Sequence, residues 1–149
     1  MGITLSQSVI GSKYVTPSKI ITQGEEELFC SMTENKLGIF LSDEAAKAKG
    51  WNGRIVPGPL IFSVSIGLME ASGILDDVVA FLGTDELRFV APVSIGDTLH
   101  VEVELVEKRL TKSGDRGIVR YKWRTINQNG KDTARGINSC MFKVGYLVK

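Results

Sequence analysis

Acid–base and nucleophilic chemistry need groups that can take or give a proton, and this chain offers few. His100 is its only histidine, and Cys30 and Cys140 are its only thiols. An imidazole titrates near neutrality and would suit a general base. His100, however, alternates with Glu102 and Glu104 on the polar side of "LHVEVELVEKR", a pattern that turns it toward solvent or an interface. Cys30 as a thioester-attacking nucleophile would need a partner base, and no histidine stands near it, so a packed helix thiol is the reading. The remaining candidates lie in "ENKLGIFLSDEAA", Glu34 to Ala46, where Glu34 and Asp43 are carboxylates able to activate water. Neighbouring residues at a helix end point about 100° apart, which makes solvated capping carboxylates the simpler reading of both. The middle of the stretch, "LGIF", holds no acid, base or nucleophile.

Metal chemistry finds no ligand set, because there is no CxxC and one histidine cannot make a zinc or iron site. Neither a metal nor a cofactor is expected. The balance of 18 Lys and Arg against 17 Asp and Glu gives a net charge of +1. That is no field for nucleic acid or an anionic membrane. Two isolated cysteines suit free thiols in a reducing compartment. The opening "MGITLSQSVIGSKY" lacks a basic flank followed by an apolar run, and "PLIFSVSIGLM" is too short to span a bilayer. A soluble, cytoplasmic protein is expected.

Elements to position these residues can be read from period and punctuation. A length of 149 residues fits a single domain over 1–149, able to bury about two-thirds of its unfolded surface. "TQGE", Thr22 to Glu25, is a capping box that starts a helix running to about Thr33. Leu28, Phe29 and Met32 mark its apolar side, and Glu25, Glu26 and Glu27 sit near its positive end. Ser42, Asp43 and Glu44 start a short second helix that Gly50 stops. After Pro57, Gly58 and Pro59, the segment Leu60 to Ser72 is apolar around most of its circumference, which predicts a helix buried on all sides.

From Val78 onward the period is 2, to the end of the chain. Val101, Val103 and Leu105 alternate with polar residues, as do Val119, Tyr121 and Trp123, so each strand has one wet face. Turns are expected at Ser113 to Asp115 and at Asn129-Gly130. The basic row Arg120, Lys122, Arg124 pairs most economically across strands with Glu102 and Glu104. One apolar helix and four or five such strands are satisfied by an α+β architecture, an antiparallel sheet wrapped around a long central helix. Its exposed edges favour pairing with a second copy.

"NGRIVPGPL" from Asn52 and "FLGTDELRFVAPVSIGDTLHVEVELVEKR" from Phe81 to Arg109 resemble the MaoC-like dehydratases of the hot-dog fold, relatives of the (R)-specific enoyl-CoA hydratases. The similarity covers nearly the whole chain after Thr22. It implies the hot-dog fold, an acyl-CoA thioester as substrate or ligand, and a homodimer or higher oligomer whose sheets join edge to edge. It also implies a motif of aspartate, any residue, asparagine, proline, any residue, histidine after the first helix, with the aspartate and histidine moving protons between water and an enoyl thioester. Ungapped counting from Thr22 or from Arg54 puts Asn35 at the aspartate position and Phe40 at the histidine position, with Leu37 and Gly38 at the two between. All four motif positions differ. Gly58, preceded by Pro57, matches the glycine whose amide polarises the thioester carbonyl.

Three functions follow. The chain is a dehydratase or enoyl-CoA hydratase (a hydro-lyase) with weak or no activity alone. Otherwise it is a non-catalytic subunit that binds acyl-CoA or completes a site for a hot-dog partner chain, or a hot-dog thioesterase using Glu34 or Asp43.

Overall fold

The computed structural model describes residues 3–144. The sequence's two periods divide it between helices and sheet. A 3-10 turn, Leu5–Gln7, is followed by two short strands, β1 (Lys13–Val15) and β2 (Lys19–Ile20). Then come α1 (Gln23–Thr33), α2 (Gly38–Leu41), α3 (Asp43–Ala48) and α4 (Gly58–Ala71). Four long strands complete the order: β3 (Val78–Phe89), β4 (Thr98–Leu110), β5 (Arg116–Ile126) and β6 (Asp132–Lys143).

The sheet is antiparallel in the order β1-β4-β5-β6-β3, with β2 also paired to β4. It is the hot-dog arrangement, with α4 held against the inner face. Alternation decides which side is inner. Val101, Val103 and Leu105 of β4 and Val119, Tyr121 and Trp123 of β5 join Leu60, Ile61, Leu68 and Met69 of α4 in one core. Phe62 of α4 reaches Trp123 with ring centroids 5.7 Å apart, and the edge strand's Phe81 at 6.3 Å. Inside the core, Ser65 Oγ shares a 2.5 Å hydrogen bond with Thr125 Oγ1 while donating to Ile61 O, so a helical hydroxyl is buried with its needs met.

Both expected turns are present, with Gly114 at φ +73° and Gly130 at φ +76°, a region glycine enters without strain. Glu102 lies opposite Arg124 and pairs with it at 2.6 Å, as the cross-strand reading expects. Arg120 instead bridges Glu107 and Asp85. Burial alternates along β4 as far as Leu105 and along most of β5 and β6, whereas β3 breaks the expected alternation at its register shifts against β6; residues 145–149 lie outside the described residues.

Two expectations are corrected. Helix α4 is not buried on all sides: Ser63, Gly67 and Glu70, spaced by four and three, form an exposed stripe. The sheet curls around only part of the helix, and these small or polar residues mark the part it leaves open. On α1, Leu28 and Met32 are 66% and 73% exposed, while Glu26 and Cys30 are buried. The capping box fixes where the helix begins, but packing against α2 fixes its rotation.

Close packing at β5 gives one stability test. A Cβ built on Gly117 would stand 2.2 Å from the Phe142 ring across the β5–β6 ladder. Overpacking of that kind costs roughly 1–3 kcal/mol. Thermal melting of Gly117→Ala should show this loss, and an unchanged Tm would mean that Phe142 swings away freely.

Candidate functional site

The segment between α1 and α4 is folded back on itself by three kinds of contact. Helix α1 begins at Thr22, whose hydroxyl accepts the Glu25 N–H while Glu25 Oε1 accepts the Thr22 N–H. It ends at Glu34, in the left-handed region at φ +60°. Asn35 follows, half-buried, with its N–H donating to Thr33 Oγ1 at 3.3 Å. The short α2 then buries Phe40, 8% exposed. Ile55 N–H donates to Ile39 O at 3.0 Å and Val56 N–H to Val93 O at 2.8 Å, so α2 and the strand-like 54–56 run lie side by side, leading into Pro57 and Gly58.

Gly58 is the first residue of α4, with Pro57 buried at the N-cap and Pro59 next. First-turn amides of a helix have no intrahelical acceptor, and among the described residues nothing takes the Gly58 N–H. It is therefore a free donor at the positive end of a 14-residue helix, suited to charge growing on a carbonyl oxygen. A Cβ on Gly58 would stand 2.7 Å from the Phe89 ring, so that ring walls one side of the amide.

The two carboxylates read as possible water activators stand apart from each other and from this amide's surroundings in character. The Glu34 side chain is 79% exposed and pairs with Lys36 at 3.1 Å. Asp43 is the first residue of α3; its Oδ1 accepts the Arg54 N–H at 2.9 Å and faces Arg54 Nε at 3.5 Å. That backbone N–H and the guanidinium hold the Asp43 carboxyl below the usual carboxylate range, making it a weaker base. His100 lies on β4 opposite Ile126, half-buried, with its strand neighbours Glu102 and Glu104. Cys30 is fully buried, and burial pushes its thiol up, away from the reactive thiolate.

Arg54 and Glu26 escaped the sequence reading. Arg54 binds Glu27 at 3.3 Å as well as Asp43, and so clamps α1 to α3. Glu26 is fully buried and neither of its oxygens has a hydrogen-bond partner. The signal for it was present: Cys30 reads as a packed helix residue, and one turn back along the same face is Glu26. Among the described residues no group of three or more His, Cys, Asp or Glu gathers to hold a metal ion. No helix of the described residues is long and apolar enough to cross a membrane.

Residues 6–126 match the model of the MaoC-like domain. A mesaconyl-CoA hydratase from Cereibacter sphaeroides is 29% identical over 113 residues, 76% of this chain, although the chain spans only 33% of that enzyme's length. Among solved structures, a monoamine oxidase regulatory protein from Archaeoglobus fulgidus superposes with a TM-score of 0.86 at 26% identity, covering 95% of this chain and 96% of the other. An (R)-hydratase from A. caviae involved in PHA biosynthesis superposes at 0.74 with 26% identity, covering 89% and 96%.

Proposed function

The chain belongs to the MaoC-like domain family, and from that premise we propose that it binds an acyl-CoA thioester with the carbonyl oxygen at the Gly58 amide and, alone, hydrates it poorly or not at all. What supports this reading is a helix-start amide without an acceptor in a chain whose proton-transfer motif positions are substituted. The Gly58 N–H is free and points from a helix start. The positions that would move protons hold Asn35 and Phe40. Water addition to an enoyl thioester needs one group to take a proton from water and another to return one to carbon. A carboxamide does not ionise and a phenyl ring neither donates nor accepts, so this chain can hold the electrophile without activating the nucleophile. The similarity to a mesaconyl-CoA hydratase supports a CoA thioester as the ligand class.

Thioester hydrolysis by Glu34 or Asp43 is disfavoured by their surroundings, one in solvent beside Lys36 and the other held by Arg54. A second reading, assembly with another hot-dog chain or a second copy of this one, is favoured by strand β3. It is a 12-residue edge whose Val79, Phe81, Leu82 and Phe89 are 45–53% exposed, apolar residues beside unpaired backbone groups. In that assembly the partner supplies the proton-transfer groups and this chain completes the acyl site.

Calorimetry with butyryl-CoA, which has no double bond to hydrate, tests the binding half. Saturable binding is expected, weaker for CoA without an acyl group. Heat that fails to saturate by about 1 mM, equivalent to less than roughly 4 kcal/mol of binding, would remove the acyl-thioester reading.

A further inference from the structure

Glu26 takes no part in the site as described, yet its placement demands an account. Both carboxylate oxygens are closed off from solvent and unpartnered, and the residue is 0% exposed. It lies on the buried face of α1, one turn before the equally buried Cys30, in a helix that packs against α2. A buried carboxyl without partners is held in its neutral form. Charged and titratable groups surround it unevenly. From its own helix come Glu27 and Cys30, from α3 Asp43, and from the 54–56 run Arg54; α2, Gly-Ile-Phe-Leu, contributes none. Arg54 is the only cation among them, and it is already engaged by Glu27 and Asp43.

We propose that Glu26 is a proton-operated latch on α1: neutral, it lets α1 close on α2; ionised, it drives α1 off that surface and loosens the Asn35 to Phe40 segment that continues from it. Glu26 would then leave its enclosure for water or for a share of Arg54. The latch rests on the packing of α1 alone and stands whether or not the site takes an acyl thioester.

The direction with pH follows from burial, which pushes the carboxyl from 4.5 up to about 7, while Arg54 opposes the rise and Glu27 and Asp43 add to it. Below pH 4.5 the group is neutral whether α1 is closed or open, and the latch is fully shut. Between 4.5 and about 7 only the open form ionises, so opening grows about tenfold per pH unit. Above about 7 both forms are ionised and opening levels off, on the order of 10²-fold above its acid value. Helix α1 is therefore held tightest on the acid side of neutrality.

Amide hydrogen exchange along α1, in the wild-type protein and in Glu26→Gln, with intrinsic exchange rates divided out at each pH, reads the latch without any ligand. Wild-type protection of α1 is expected to fall by on the order of 10²-fold from pH 4.5 to 7 and then hold, while Glu26→Gln keeps α1 protection constant and β5 and β6 change in neither protein. Parallel α1 protection in the two proteins across the whole range would overturn the proposal. Should Glu26→Gln fail to fold, carbon-detected titration of the Glu26 carboxyl in the wild-type protein decides instead: a midpoint near neutrality supports the latch, and one at the ordinary 4.5 defeats it.

Discussion

The double variant Asn35→Asp, Phe40→His is expected to hydrate crotonyl-CoA roughly 10²- to 10⁴-fold faster than the parent chain, the range a positioned acid–base group contributes. Both changes fit their places. Asn35 is half-buried at the end of α1 and no hydrogen bond of its side chain would be broken, so an aspartate of the same shape introduces only the charge. Phe40 is 8% exposed in α2, and imidazole is smaller than the ring it replaces. Burying a polar ring unsatisfied costs about 1–3 kcal/mol, which the new carboxylate offsets if it accepts the imidazole N–H. Each single change should gain far less, because the reaction needs a proton taken and a proton returned. The gain is expected in kcat with KM nearly unchanged, since the proposed carbonyl contact at Gly58 is untouched. A folded double variant with no gain would mean that these two positions do not face the reacting atoms.

The second large effect concerns the amide. In that revived background, Gly58→Pro is expected to lower the hydration rate by roughly 10²- to 10³-fold, the effect of deleting one oxyanion donor. Proline is tolerated at the first position of a helix, where its missing N–H breaks no helical bond. Its Cβ would crowd Phe89, which the glycine leaves at 2.7 Å from that point. Gly58→Ala brings in the same Cβ and keeps the N–H, so it separates the two causes. A loss confined to the proline variant identifies the donor, whereas equal losses in both would assign the effect to displacement of Phe89.

Local chemistry made much of the fold legible. The Thr22 to Glu25 box, the strand alternation and the Asn129-Gly130 turn each state a short-range preference that the structure keeps. What the sequence left open depends on rotation and on remote surfaces. Glu25, Glu26 and Glu27 are alike as residues, and only packing decided that the first ties to Thr22, the third to Arg54, and the second turns inward. Leu28 and Met32 look like a core face until Cys30 and Glu26 occupy it. Strands β1 and β2 have 3 and 2 residues, too few for a period, and exist because β4 offers them an edge. For the candidate site, the register from Thr22 and from Arg54 assigned Asn35 and Phe40 to the motif positions, and the family resemblance assigned Gly58. The Arg54 clamp, which joins residues 11 and 27 positions away, carries no local signature.

The central claim is that this chain keeps the grip on an acyl thioester and lacks the means to add water to it. The most direct test follows the loss of enoyl-thioester absorbance when purified protein meets crotonyl-CoA. Turnover well under about 1 per second is expected, with butyryl-CoA competing for the same site; hydration at about 10 per second or faster, an ordinary enzyme rate, would contradict it.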